Sequence, residues 1–337
     1  MGNFLDSHTS DFWCPVFLKG GKMPKRKVRF MGLLTKTNSS ILGVKLEHGF
    51  KIEKKGGEEL IDLIAKLEGI SKFQANVRVV KKAYINLAED KAYIITNFID
   101  GIESKETGDI EDKSFHVLDK YEIIHGKYFD EKLALMRLFK EGHLFMLERY
   151  YFFEDDETPI FSVKTGMGKD VGRGITYSLE KSELQDLQTF IQNIEFPFIE
   201  PSLRIAGQNF EMAYSINHKH LSFLVLMISM ESLFNPSGEG ELTYRISRNT
   251  AVLIGKDKED SANICTKMKE LYVKRCKIVH NGKSNNVTED DVRDLRNYVR
   301  KSIQEFYRIG KNKDEILKLL NSCGFDDRPW LQQKSQK

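Results

Sequence analysis

Arg275 and His280 are separated by four residues near the C-terminus, and their side chains suit chemistry on a phosphate group. The planar guanidinium of arginine pairs with phosphate oxygens and keeps its charge at physiological pH. The imidazole of histidine titrates near neutral pH, so it can transfer protons during a reaction. The surrounding stretch, 271–283, contains several lysines and no acidic residue. We therefore predict a phosphate-binding site here.

The pattern around this pair predicts the last turns of a helix. Apolar residues recur at steps of three and four positions and mark one buried face: Ile264, Met268, Leu271 and Tyr272. Arg275 continues that row, so its guanidinium needs an anionic group or a partner chain against it. His280 follows about 140° further round an ideal helix. Asn281 and Gly282 suit the left-handed turn that ends many helices.

The composition indicates a soluble globular protein. Of the 337 residues, 40% are hydrophobic and 30% are charged, and the net charge of +3 gives no strong bias toward nucleic acid. The N-terminus lacks a signal-peptide pattern, and the longest apolar run, 221–230, is too short to cross a membrane. The cysteines have no paired spacing: Cys14, Cys265, Cys276 and Cys323. We predict a cytoplasmic location, no membrane contact, and neither a disulfide framework nor a metal or cofactor site.

Residues 1–198 have the pattern of an antiparallel β-rich domain. Three hairpins are predicted, each joining two strand-like runs across a polar turn: 27–34 with 41–46, 83–87 with 92–98, and 133–139 with 144–153. The last of these runs is apolar on both faces, which favours a central place in the sheet. Residues 58–67 and 182–194 have helical spacing. The glycine-rich stretch 165–174 lacks Walker spacing, so we expect a plain loop rather than a phosphate cradle.

Beyond Pro201 the hydrophobic period changes from two to about 3.6 residues, which predicts a helical bundle over 199–322 followed by a frayed tail, 323–337. Residues 221–234 are apolar nearly all round, so they should form a central helix. Thr288 opens another helix, whose outer face carries basic side chains: Arg293, Arg296, Arg300 and Lys301. The predicted fold class is α+β, with an antiparallel β-rich domain before an α-helical bundle.

The helical half resembles a known family. Three segments carry the resemblance in order: 223–234 (FLVLMISMESLF), 244–248 (YRISR) and 275–280 (RCKIVH). Together they are similar to the Apea-like branch of the HEPN domains, the higher-eukaryote-and-prokaryote nucleotide-binding four-helix bundles. The signature of that family is an arginine and a histidine separated by four to six residues. The resemblance covers 201–310, and Trp13 and Pro15 with the runs 28–34 and 41–46 look like the β-rich domain that often precedes Apea-like domains.

This resemblance implies a function. In the family, two protomers pack so that both Arg–His pairs line one cleft, and RNA is cleaved without a metal ion. The 2′-hydroxyl attacks the neighbouring phosphate and leaves a 2′,3′-cyclic phosphate. By resemblance, Arg275 binds the phosphate and His280 acts as general acid and base. Proteins of this type are bacterial and many are linked to phage defence, so the expected role is antiphage defence or toxin-like RNA restriction.

Neighbouring side chains are expected to support the pair. Glu231 lies in an apolar helix and must be paired, so we expect it to hold Arg275 in place. Asn281 is both a candidate phosphate contact and a helix cap, and Cys276 directly follows the arginine. The basic residues expected to follow an RNA backbone are Lys274, Lys277, Lys283 and Arg245.

Other interpretations remain open. A salt bridge to Glu231 would by itself explain why Arg275 lies on an apolar face. Stabilisation of the helix dipole would explain why His280 lies at the helix end. Cys276 stands where many active family members carry Asn, Asp or His. The alternative function is therefore a catalytically inactive module for RNA binding, dimerisation or scaffolding. The basic residues equally fit a solvated face, and the sequence leaves open the RNA target and any ligand or trigger of the N-terminal domain.

Overall fold

The structure, a computed structural model, describes residues 26–81, 84–102, 110–154, 157, 159–164, 174–235, 241–282, 286–325 and 327–332. Within these ranges an antiparallel sheet forms in the N-terminal part, and the C-terminal part is helical. The predicted α+β class is therefore confirmed. Trp13, Pro15, Lys283 and the glycine-rich stretch up to residue 173 lie outside the described residues.

In the described part of the chain the sheet has six strands: β1 (Arg26–Leu34), β2 (Lys51–Gly56), β3 (Ile85–Asn86), β4 (Lys91–Ile102), β5 (Met146–Phe153) and β6 (Pro159–Lys164). Their order is β2-β4-β1-β5-β6, with β3 paired to β4, and all pairs are antiparallel. β5 lies between β1 and β6, as its two apolar faces predict. The pairing predicted for 83–87 with 92–98 is confirmed by β3 and β4.

The predicted hairpin between 27–34 and 41–46 is wrong. β1 forms hydrogen bonds with β4 on one side and with β5 on the other, so it has no edge for a local partner. The chain after β1 forms a 3₁₀ turn, Ser39–Gly43, in which the side chain of Asn38 accepts a hydrogen bond from the backbone of Ser40. Ile41 of this turn is buried, so its apolar character serves the core rather than a strand.

Four helices accompany the sheet: α1 (Gly57–Glu68), α2 (Lys72–Lys81), α3 (Ile110–Phe139) and α4 (Glu183–Asn193). α1 and α4 match the two helices predicted from spacing. The predicted strand 133–139 is wrong, because it forms the last turns of α3. A short apolar run does not distinguish a strand from a buried helix, and Leu133, Met136 and Leu138 are all buried. Leucine, alanine, methionine and arginine also favour a helix.

The C-terminal part contains α5 (Pro201–Ser215), α6 (Lys219–Phe234), α7 (Leu242–Ile254), α8 (Lys258–Asn281), α9 (Glu289–Ile309), α10 (Lys313–Ser322) and α11 (Pro329–Gln332). α6 is central, as predicted, because it packs against α5, α7, α8, α9 and α10. Trp330 of α11 is buried, which differs from the frayed tail predicted there. Arg248 of α7 donates hydrogen bonds to the carbonyls of Leu320 and Cys323 and so holds the end of α10. Among the described residues, no helix combines the length and apolar character needed to cross a bilayer.

Local caps set the ends of the two helices nearest the candidate site. α8 begins after Asp257, whose side chain accepts a hydrogen bond from the backbone of Asp260 at 2.8 Å. It ends at Gly282 with φ of +64°, the left-handed cap that the sequence predicts. α9 begins with a capping box, in which Thr288 and Asp291 each accept a hydrogen bond from the other's backbone.

The basic face predicted on α9 is only partly exposed. Arg293 faces solvent, but Arg296 is buried and both Arg300 and Lys301 are half-buried, so the prediction is wrong for these three. The end of α3 packs against α9 and leaves backbone carbonyls that need donors. Arg300 donates to the carbonyl of Phe139 at 3.1 Å. Gln304 of α9 donates to the carbonyls of Leu138 and Phe139. Side chains of α9 therefore cap the C-terminal end of α3.

Candidate functional site

Arg275 on α8 faces Glu231 on α6. Nε of Arg275 lies 3.0 Å from Oε1 of Glu231, and Nη2 donates a hydrogen bond to Oε2 at 3.4 Å. The Nε contact is close but not aligned as a hydrogen bond, so Oε1 has no hydrogen-bond donor among the described residues. The two side chains are 24% and 21% exposed. The predicted contact is confirmed, and it leaves the guanidinium partly open to solvent.

Tyr272 adds a third side chain to this pair. Its ring centroid lies 5.7 Å from Cζ of Arg275. Burial, together with the negative charge of Glu231, raises the pKa of the Tyr272 hydroxyl to about 12, so this group stays protonated beside the carboxylate. The sequence placed Tyr272 only on the buried face. Its spacing of three residues from Arg275 is the signal that connects it to the site.

His280 lies on the last turn of α8, and its side chain is exposed. It follows Arg275 by about 7.5 Å along the helix axis. The N–H of Gly282 donates to the carbonyl of Ile278 at 3.0 Å and ends the helix there. In the described part of the chain, no hydrogen bond joins His280 to Arg275. One protomer therefore presents the two groups as neighbours on a helix end rather than as a bonded pair.

The surface of α8 between these two residues is partly apolar. By helix geometry Val279 lies about 40° and Cys276 about 100° round from Arg275. The side chain of Val279 is 51% exposed, whereas Cys276 is a half-buried free thiol. Asn281 is the last residue of α8, and its side chain lies outside the described part of the chain. An apolar side chain thus separates the arginine from the histidine on this surface.

Lys274 is engaged within the protomer. Its Nζ lies 2.5 Å from Oδ2 of Asp291 on α9, and Nζ of Lys267 lies 3.3 Å from Oδ1. The Asp291 side chain is only 2% exposed. Burial opposes its ionisation, but hydrogen bonds from Lys274 and from Thr288 outweigh this and hold the pKa of Asp291 at about 2. Lys274 therefore links α8 to α9, which the sequence did not indicate.

The remaining basic candidates differ in their surroundings. Lys277 is exposed on α8, and Arg245 is exposed in the first turn of α7. Nζ of Lys269 on α8 lies 6.0 Å from the ring centroid of Tyr244, so the start of α7 lies beside α8. Lys277 and Arg245 are thus accessible, unlike Lys274.

The arrangement combines an oriented cation, a neutral phenol and a solvent-accessible imidazole at one end of α8. Such groups can bind a phosphate ester and move a proton. In the ranges that the structure describes, no group of three or more His, Cys, Asp or Glu side chains is placed to hold a metal ion. Comparisons of the chain with family models, with curated proteins and with solved structures gave no match.

Proposed function

We propose that this protein is a metal-independent endoribonuclease of the HEPN type, acting in the cytoplasm in prokaryotic antiphage defence or toxin-like RNA restriction. The observation that supports this is the partly exposed Arg275, oriented by Glu231, on the same helix end as the exposed His280. A carboxylate on one edge of a guanidinium leaves the other edge pointing in a fixed direction. Among the described residues, Nη1 of Arg275 has no hydrogen-bond partner, so it is available to a phosphate oxygen.

The proposed reaction is a transesterification. Arg275 binds a non-bridging oxygen of the scissile phosphate and stabilises the charge that develops there in the transition state. A neutral His280 takes the proton of the 2′-hydroxyl as its oxygen bonds to phosphorus. The bond to the 5′-oxygen breaks, and that oxygen takes a proton from a histidinium. The products are a 2′,3′-cyclic phosphate and a 5′-hydroxyl, and one proton is taken up for each one released.

Two protomers would supply both histidines, one as base and one as acid. Exposed apolar side chains lie next to the site on each helix: Val279 on α8 and Ile228 on α6, the latter 46% exposed and three residues before Glu231. Apolar side chains at the border of a polar site favour contact with another protein surface. In the proposed homodimer, Lys277 and Arg245 follow the RNA backbone beside the cleft.

Cleavage of RNA in the presence of EDTA tests this function. We expect wild type to cleave and His280→Ala to be at least about 100-fold slower, since a positioned proton-transfer group contributes that much. His218→Ala is the matched control, because His218 is also exposed but lies at the start of α6. The cleaved ends should carry a cyclic phosphate, which mass spectrometry detects. Equal residual cleavage by wild type and His280→Ala would refute the nuclease function.

A catalytically inactive RNA-binding or dimerisation module is the second candidate. Cys276 favours it, because a half-buried thiol directly after the arginine offers little polar support to a reacting phosphate. The engagement of Lys274 by Asp291 favours it as well, since it removes one cation from the RNA surface. This function predicts that RNA binding and dimerisation survive His280→Ala and that wild type produces no cyclic phosphate. Sedimentation and filter binding measure dimerisation and RNA binding, and mass spectrometry of the RNA ends made by wild type distinguishes the two functions.

A further inference from the structure

A second group of basic and aromatic side chains lies where the end of α3 meets α5 and α9. The group consists of Tyr214 and the buried or half-buried side chains near it: Arg137, His143, Tyr177, Arg296 and Arg300. None of them belongs to the site around Arg275. The group connects the sheet-bearing part of the chain to the helical part, so a ligand bound there would contact both.

Arg296 is the member of this group whose guanidinium has no hydrogen-bond acceptor among the described residues. It is 8% exposed, and its Cζ lies 4.6 Å from the ring centroid of Tyr214. Among the described residues it forms no ion pair and no hydrogen bond, and its Nε is fully buried. The aromatic ring stabilises the cation but supplies no hydrogen-bond acceptor. A buried Nε–H without an acceptor is unfavourable, and a bound anion would relieve that cost.

Arg137, by contrast, has internal partners. Its Nε donates a hydrogen bond to Oε1 of Glu211 at 3.2 Å, and its Nη2 donates to Oε2 of the same carboxylate. Its Nη1 donates to the carbonyl of Leu144. Its Cζ lies 5.7 Å from the ring centroid of Tyr214, so this ring is near two guanidinium groups. Among the described residues, Arg137 has a carboxylate partner and Arg296 has none.

Arg300 is also partnered, but by neutral acceptors. It donates to the carbonyl of Phe139 at 3.1 Å and to Oδ1 of Asn297 at 2.5 Å. Neither acceptor carries a formal charge, so the positive charge of Arg300 adds to that of Arg296. The group therefore contains more hydrogen-bond donors than acceptors and more positive than negative charges.

Several neutral donors accompany the unpaired arginine. The hydroxyls of Tyr214 and Tyr177 are buried and have no hydrogen-bond partner among the described residues. Nδ1 of His143 accepts a hydrogen bond from the backbone of Ile175 at 3.1 Å, so the neutral ring carries its proton on Nε2. Burial, followed by the charge of Arg296, lowers the pKa of His143 to about 3, which keeps the ring neutral. Its ring centroid is 5.1 Å from that of Tyr214.

Glu141 is a nearby carboxylate whose charge acts on Arg300. Its Oε1 is buried and has no hydrogen-bond partner among the described residues. Within the described ranges it forms no ion pair with Arg300 or Arg296. Three arginines lie here with the carboxylates of Glu211 and Glu141, and a third carboxylate, Glu183 near Tyr177, is paired with Lys140. Positive charge therefore remains in excess even if all three acids are ionised.

We propose that Arg296, Tyr214 and His143 bind a phosphate-type oxyanion, either free or as the terminal group of a small phosphorylated ligand. A tetrahedral oxyanion accepts hydrogen bonds from a guanidinium, a hydroxyl and an imidazole N–H together, and its charge offsets the local excess. His143 is only half-buried, so the ligand reaches the site from that side. The bound oxyanion would link the end of α3 to α5 and α9 through these three side chains.

Calorimetric titration of the full chain with inorganic phosphate, at constant ionic strength, tests this site. We expect saturable binding by wild type and at least about tenfold weaker binding by Arg296→Gln, since a charge-assisted hydrogen bond to phosphate is lost. Arg293→Gln is the matched control, because Arg293 lies on the same helix but is exposed and pairs with Asp290 at 2.8 Å. Its binding should equal that of wild type.

Glu141→Gln provides a second measurement if Arg296→Gln does not fold. Removing the competing carboxylate should tighten phosphate binding several-fold, and unchanged or weaker binding would overturn the proposal. Absence of saturable binding by wild type, or equal binding by Arg296→Gln, would also overturn it. Tighter binding of acetate than of phosphate would overturn the choice of phosphate. RNA cleavage is not a readout here, so the result is independent of the proposed nuclease function.

Discussion

Arg275 and Glu231 lie 3.0 Å apart between Nε and Oε1 and join α8 to α6. The contact occupies one edge of the guanidinium, so it fixes the direction of the arginine as well as the packing of the two helices. α6 packs against five other helices, so its Glu231 fixes Arg275 relative to the centre of the bundle. Stability and site geometry therefore depend on the same contact.

Glu231→Gln keeps the shape of the side chain and removes its charge. We expect the free energy of unfolding to fall by about 1 kcal/mol, because this ion pair is only partly exposed. Cleavage should slow by about tenfold, because Arg275 loses its orienting charge. Urea unfolding and initial cleavage rates in EDTA measure the two effects. Arg293→Gln, which breaks an exposed pair, should change stability by only a few tenths of a kcal/mol.

Arg275→Lys keeps the positive charge but removes the planar fork. A lysine ammonium cannot contact Glu231 and a phosphate through two opposite edges, so we expect single-turnover cleavage to be about 10 to 100-fold slower. RNA affinity should change much less, since the net charge is the same. Cleavage by Arg275→Lys at the wild-type rate would contradict the role given to the guanidinium.

Lys274 and Lys277 provide a matched pair for RNA binding. Lys277 is exposed, so Lys277→Ala should weaken RNA binding and reduce the salt dependence of the binding constant by about one ion. Lys274 is held by the buried Asp291, so Lys274→Ala should lower stability more than it lowers RNA affinity. Filter binding across salt concentrations and urea unfolding measure the two effects. A larger loss of RNA affinity for Lys274→Ala would show that Asp291 releases this lysine to RNA.

Asp291 should make stability depend on pH in acid. Its folded pKa of about 2 lies below the ordinary value of 3.8, so its contribution is complete above that ordinary value and is lost as pH falls toward 2. Asp291→Asn should therefore be less stable than wild type by about 2 kcal/mol near neutral pH, and this difference should shrink to a few tenths of a kcal/mol near pH 2. Urea unfolding at several pH values tests this. Asp290→Asn, at an exposed neighbouring acid, should show no comparable trend.

Much of the candidate site could be predicted because its signals are local or obligatory. Gly282 ends α8 and Thr288 begins α9 through caps that need only neighbouring residues. The contact of Glu231 with Arg275 was predictable for another reason. Each charge lies among apolar residues and needs a partner, and the bundle brings their helices together.

Other features depend on parts of the chain that are distant in sequence. Arg296 turns inward because Tyr214, on another helix, provides a ring for its guanidinium. Asp291 resembles any acidic residue in the first turn of a helix, and only the packing of α8 reveals its contact with Lys274. The end of α3 was predicted as a strand because six consecutive buried residues, 133–138, hide the helical period.

The place of β1 at the centre of the sheet bears on the order in which the chain folds. The first strand of the sheet pairs with β4 and β5, so Val28 lies opposite Ile99 on one side and Phe153 on the other. Contacts between residues far apart in sequence form slowly, because long loops must close first. During synthesis β1 must wait for both partners, whereas the hairpin of α7 and α8 forms from adjacent residues. The helical bundle should therefore acquire its structure faster than the sheet, although it is synthesised after the sheet.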